Sequence, residues 1–117
     1  MIKRVIFLSF LCSLLSCSDK EEVPADVFAI DKMKVIVWEL AIADQTAANN
    51  FLMQKDSLQM EATSLYRQVF AKHRINRKTF YKNFSYYESH PQLLKALFDS
   101  VSSYGNRQKM NAYQKSF

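Results

Sequence analysis

Apolar side chains recur every three or four residues along most of this chain, the period of one helix face. Met33, Ile36, Val37, Leu40, Ala43, Ala47 and Phe51 make the first stripe, widened by Trp38 and Ile42, with Asp31 as its N-cap. The run from Ile36 to Trp38 has some β character, but the helical spacing continues for five turns and outweighs it. Asn49-Asn50 weakens the end, and a helix running one turn further fits the pattern. Asp56-Ser57 gives a turn and cap before a second helix over Leu58 to His73, whose stripe is Leu58, Ala62, Leu65, Tyr66, Val69 and Phe70. Arg74-Ile75-Asn76 breaks the period, and Asn76 caps a third helix from Arg77 with Phe80, Phe84 and Tyr87 on one face. Ser89 or His90 caps a fourth helix with Pro91 in its first turn, where the missing N–H costs nothing. Its apolar face is Leu94, Leu97, Phe98, Val101 and Tyr104.

The pattern predicts an all-α domain, a small antiparallel bundle or irregular array of about four helices with short connections. Gly105 stands where the C′ residue of the fourth helix would stand, and the polar segment 106–117 is expected as a tail or a frayed extension of that helix. One Gly and two Pro leave too few turn formers for a β-rich fold. No internal repeat and no strand pair is visible.

Ahead of the helical stretches the pattern changes. Met1 to Arg4 is a short basic segment, and Val5 to Leu15 is an apolar run interrupted by Ser9 and Ser13. Eleven residues as a helix reach about 16 Å, too short for a hydrocarbon core of roughly 30 Å. Residues 1–16 therefore read as a signal peptide. Leu14-Leu15-Ser16-Cys17 resembles a bacterial lipobox, with small Ser16 before the cut and apolar Leu14 at the third position. Cys17 is then the lipidated first residue of the mature chain, carrying diacylglyceryl and an N-acyl chain such as palmitate, enough for stable anchoring without a transmembrane helix. Cys12, preceded by bulky Leu11, is removed with the leader, so no free thiol, disulfide or Cys metal ligand remains. Residues 17–29 are expected to be a flexible charged tether, 30–105 the helical domain and 106–117 the polar tail. Ser18 after the Cys lacks the inner-membrane retention signal of enteric bacteria, and Lys20-Glu21-Glu22 is similar to a short surface-export signal. The expected place is the cell envelope, at the outer membrane, on its periplasmic face or the cell surface.

Charge refines this picture. Without Lys3 and Arg4 the formal charge of +5 falls to +3. From Cys17 to Glu61 there are nine acidic and four basic side chains, and from Ala62 to Phe117 two acidic and ten basic. Facing helices of opposite sign account for this asymmetry; so does a basic surface turned to anionic lipid or an acidic partner. An exported chain has no access to nucleic acid.

The string Phe70-Ala71-Lys72-His73-Arg74-Ile75, then Phe80, Phe84, Tyr86-Tyr87, His90-Pro91, Leu94 and Val101, resembles a Bacteroidota family of small lipoproteins with a domain of unknown function. Pro24, Asp31-Lys32-Met33 and Glu39-Leu40 through Asp44 fit as well, so the resemblance runs over residues 24–104. Its members often carry a small residue or glycine where Arg74 stands. The resemblance implies fold and location and brings no mechanism.

Candidate chemistry is sparse. His73 and His90 are the only histidines, and their spacing does not build a metal site. Glu39 and Asp44, five apart, do not share a helix face; Glu39 suits an ion pair with a basic residue of the third or fourth helix. The serines lack a base-and-orienter pattern, and no glycine loop is present to cradle phosphate. Cofactor and metal are expected to be absent. Tyr81 and Tyr86, off the Phe80/Phe84/Tyr87 face and close to Lys78 and Lys82, form a candidate partner contact. The leading expectation is a non-enzymatic, membrane-anchored envelope lipoprotein whose helical interaction or adaptor domain binds an envelope protein. A chaperone-like peptide binder and a small envelope enzyme are the alternatives. An open apolar groove between helices favours the peptide binder, and a pocket gathering a His with carboxylates favours the enzyme.

Overall fold

The computed structural model describes residues 22–54 and 58–117, with side chains described over 22–50 and 62–117. The apolar periods become four helices: α1 (Ile30–Gln54), α2 (Leu58–Lys72), α3 (Arg77–Glu88) and α4 (Pro91–Gln114). No strand occurs among the described residues. The fold is all-α, as the pattern predicts. The leader, Cys17, the Phe51 side chain and the Asp56-Ser57 turn lie outside the described residues.

Helix α1 packs against α2 and α4, and α3 closes the array by contacting both. The core takes Met33, Ile36 and Leu40 from α1, Phe70 from α2, Phe80 and Tyr87 from α3, and Leu93 and Leu97 from α4. Ala43 and Ala47 are also buried, and their small side chains allow a close approach to α1. Leu93, left out of the expected α4 face, is in the core, whereas Phe98 is 46% exposed and pairs edge-to-face with the Phe84 ring. Leu94 and Val101 pack half-buried beside the core.

The connections follow from local chemistry. Helix α2 ends in a Schellman motif: Ile75 N–H donates to the Phe70 carbonyl and Arg74 N–H to the Ala71 carbonyl, both at 3.0 Å. Arg74 occupies the left-handed position of this motif with φ 55°, a conformation that favours glycine. Phe70 and Ile75, its two apolar flanks, both join the core. Asn76 then caps α3 as expected, its Oδ1 accepting from Thr79 N–H at 2.8 Å. His90 precedes Pro91 at the start of α4 without a side-chain capping bond. Its Nδ1 lies 2.7 Å from the Tyr86 carbonyl instead.

Three expectations require correction. Asp31 does not cap α1: the Ala29 carbonyl accepts from Lys32 and Met33, while the Asp31 carboxylate takes Lys34 at 2.6 Å within the first turn. Gly105 does not end α4, which continues through it to Gln114 with no positive φ at the glycine. A Cβ built on Gly105 would fall under 3.0 Å from three carbons of the Trp38 benzo ring, so the glycine serves a close approach between α1 and α4. Segment 22–29, assigned to the tether, includes packed residues: Val23, Val27 and Phe28 lie against the core. The backbone of Phe28 is held at both of its polar groups. Its N–H donates to Asn83 Oδ1 at 2.7 Å, and its carbonyl accepts from the Tyr87 hydroxyl at 2.5 Å. Asn83 and Tyr87 are four apart on α3, so one helix face carries both.

Candidate functional site

From the middle of α2 through the turn to the middle of α3 the chain carries a run of positive charge with no acidic residue. Residues 62–87 contain no Asp or Glu and six Lys or Arg: Arg67, Lys72, Arg74, Arg77, Lys78 and Lys82. Of these only Lys72 pairs with a carboxylate among the described residues. It reaches Glu39 at 2.5 Å, and His73 Nε2 meets the other oxygen of the same carboxylate at 2.6 Å. The Glu39 partners thus come from the end of α2 rather than from the third or fourth helix, because α1 lies directly against α2. Partial burial pushes the Glu39 carboxyl up, but the hydrogen bonds and charges of Lys72 and His73 outweigh it and hold the group below its ordinary value.

Between α2 and α3 lies a groove of about 510 Å³. Its apolar surface comes from Ala62, Tyr66, Phe70, Ala71 and Ile75. Arg67 and Arg77 line it too, from α2 and α3 respectively. The Schellman turn shapes this groove, because it brings Ile75 back over Phe70 and sets the direction in which α3 departs. Tyr66 is fixed across the helix pair by donating to Asp44 Oδ1 at 2.6 Å. Burial and then the Asp44 carboxylate push its hydroxyl up to about 12, so it stays a donor over the whole physiological range. The Arg77 guanidinium sits 5.3 Å from the Tyr81 ring centroid, within cation–π range.

The candidate contact residues fall on α3 in two groups. Lys78 and Lys82 are exposed, and Tyr81 is 42% exposed beside Phe80 and Arg77, next to the groove. Tyr86 is half-buried at the other end of α3, stacked on His90 with centroids 4.1 Å apart. The histidines do not meet, since His73 pairs with Glu39 and His90 with Tyr86. Among the described residues no group of three or more His, Cys, Asp or Glu side chains converges on a metal-sized site. A shallower hollow lined by Trp38, Glu39, Ile42 and Lys72 contains one carboxylate, already occupied by its two partners.

A family model for a domain of unknown function, DUF4296, matches residues 24–111. The chain belongs to the DUF4296 family. The family membership expected from the spaced aromatics holds at this level. The DUF4296 match begins at Pro24, ahead of α1, and so includes the clamped Phe28. It ends at Asn111, past Gly105, and so takes in most of the α4 extension as well. Among curated proteins and solved structures none matches this DUF4296 chain.

Two features escaped the sequence reading. The acid-free stretch 62–87 was open to inspection and marks the basic groove. The Asn83 clamp gives a weaker signal: a single Asn among Phe80, Phe84 and Tyr87 on an otherwise aromatic face.

Proposed function

We propose that this DUF4296 protein is a lipid-anchored envelope lipoprotein whose helical domain acts as a non-enzymatic interaction module at the outer membrane. The observation that carries this reading is Leu14-Leu15-Ser16-Cys17, a lipobox-like site closing an apolar run too short to span a bilayer. No described helix is long and apolar enough to cross a membrane, which is compatible with attachment through acyl chains on Cys17. Packing begins at Val23, six residues after Cys17, so an extended tether would hold the domain within about 20 Å of its anchor. A domain on so short a lead works at the membrane face on neighbours that are also envelope proteins.

The test is replacement of Cys17 by Ala. Acyl labelling and retention in the membrane fraction should both be lost. Unchanged fractionation would overturn the anchor. The open apolar groove between α2 and α3 favours, as a second reading within the same class, a peptide binder of chaperone type. A chaperone would accept neutral apolar peptides as readily as charged ones.

A further inference from the structure

We propose that the groove between α2 and α3 is the docking site for an acidic peptide segment of a partner protein, anchored by one or two apolar side chains. The proposal deepens the interaction-module reading and rests on it. Its first support is the floor. Phe70 and Ile75 are brought together at the Schellman turn, with Ala62 and Ala71 leaving open the space a ligand's apolar group would fill. About 510 Å³ accommodates one large or two medium side chains with their backbone. The second support is charge. Arg67 and Arg77 line the groove from two helices, with Arg74 in the turn between them and Lys78 and Lys82 continuing along α3. None of these five has a carboxylate partner among the described residues. Two carboxylates of α1 are engaged elsewhere, Glu39 by Lys72 and His73 and Asp44 by Tyr66.

Five unmatched cations spread over a helix corner call for several carboxylates in a row rather than one. That separates an acidic peptide from a single carboxylate amphiphile. The floor lies in a concavity between two helices, whereas a flat bilayer presents its headgroups to convex basic surfaces. That separates the peptide from an anionic membrane. Arginine suits the role because its planar fork meets carboxylates bidentately, and Arg77 is already oriented by the Tyr81 ring.

The test uses the full chain, lipidated and held in phosphatidylcholine nanodiscs, with fluorescein-labelled Glu-Asp-Leu-Phe-Glu-Glu as the probe. Anisotropy should report saturable binding that weakens as salt is raised. The neutral peptide Gln-Asn-Leu-Phe-Gln-Gln and the apolar-free peptide Glu-Asp-Ser-Ser-Glu-Glu should each bind at least about tenfold more weakly. Joint replacement Arg67→Glu and Arg77→Glu should remove binding of the probe. Ala71→Trp should do the same by filling the groove without changing charge, and circular dichroism and thermal melts show whether both variants stay folded. Lys109→Glu, away from the groove on α4, should leave binding unchanged. Equal binding of the neutral peptide, equal binding of the apolar-free peptide, or displacement of the probe by phosphatidylglycerol vesicles or palmitate would each overturn the proposal. A photoreactive residue at Ala71 or at exposed Met110 in intact cells separates this proposal from the broader reading. Protein adducts from Met110 but none from Ala71 would end the groove as a docking site and leave the interaction module standing, whereas acidic segments captured at Ala71 would support both.

Discussion

The benzo ring of Trp38 occupies the place where a side chain at Gly105 would stand. Helix α1 therefore lies closer to α4 at this crossing than any other residue would permit. Lys109, one turn on, holds its ammonium 5.6 Å from the same ring. Two opposing effects decide what Gly105→Ala does. Alanine gains about 1 kcal/mol of helix propensity over glycine. Forcing a methyl group into a filled contact typically costs about 1–3 kcal/mol. With three ring carbons under 3.0 Å away, the clash wins. We expect Gly105→Ala to destabilise by up to about 2 kcal/mol, or a melting point lower by about 4–8 °C per kcal/mol for a domain this size. Trp38→Leu in the same chain should recover part of the loss, and additive effects of the two changes would contradict the contact.

Arg74 presents the opposite case, a side chain where glycine belongs. An L-residue at φ 55° carries about 1–2 kcal/mol of local strain. Glycine relieves it but loses about 0.5–1 kcal/mol to its freer unfolded chain. Arg74→Gly should therefore stabilise the domain by roughly 0.5–1 kcal/mol, seen as a higher urea midpoint. Arg74→Ala removes the charge and keeps the Cβ, so it should change little. A gain from alanine equal to that from glycine would mean that charge, not backbone strain, is being relieved.

The Phe28 clamp makes a third case. Tyr87→Phe leaves the carbonyl of Phe28 without its donor, and Asn83→Ala leaves its N–H without an acceptor. Leaving a partly buried polar group unmatched costs about 1–3 kcal/mol. Both variants should melt earlier, and amide exchange should accelerate at Phe28 and the first turn of α1 more than in α2. Uniform acceleration across all helices would argue that these bonds do not hold the entry segment in particular.

Glu39 ties stability to acid. Its carboxyl is held below the ordinary value of 4.5, mainly because Lys72 and His73 outweigh the effect of burial. A group whose folded value lies below its unfolded one adds stability above the unfolded value and loses it as pH falls through the folded value. The urea midpoint should thus drop from pH 6 to pH 3 by more in the native chain than in Glu39→Gln. The two proteins should converge at the acid end. Parallel drops would place the acid sensitivity elsewhere.

Much of the fold is legible in the sequence because three- and four-residue spacing is a local property. Asn76 and Pro91 mark the starts of α3 and α4 for equally local reasons, a side-chain acceptor and a missing donor. What was not legible depends on partners distant in the chain. The start of α1 is set by Phe28 being held on α3 rather than by Asp31. A lone glycine near a helix end reads equally as a left-handed cap or as a close approach, and only the position of Trp38 separates the two. The chain in fact reverses the usual division of labour: its one glycine is helical, and the positive φ among the described residues falls on an arginine. Of the candidate contact set, Tyr81 meets the groove residue Arg77 and Lys78 and Lys82 are exposed on the same helix, while Tyr86 is taken by His90, a stacking that spacing alone does not reveal. The groove itself needs the α2–α3 angle, which the Schellman turn supplies and which helical periodicity does not encode.

The hold on Phe28 also has a mechanical meaning. Any pull on the chain ahead of Val23 reaches Phe28 before it reaches α1. There the load passes sideways into α3 through two hydrogen bonds that share it at a single residue, one to Asn83 and one from Tyr87. Tension from the N-terminal side is thus borne by the middle of the chain, and the first helix can stay wound while the lead in front of it is stretched.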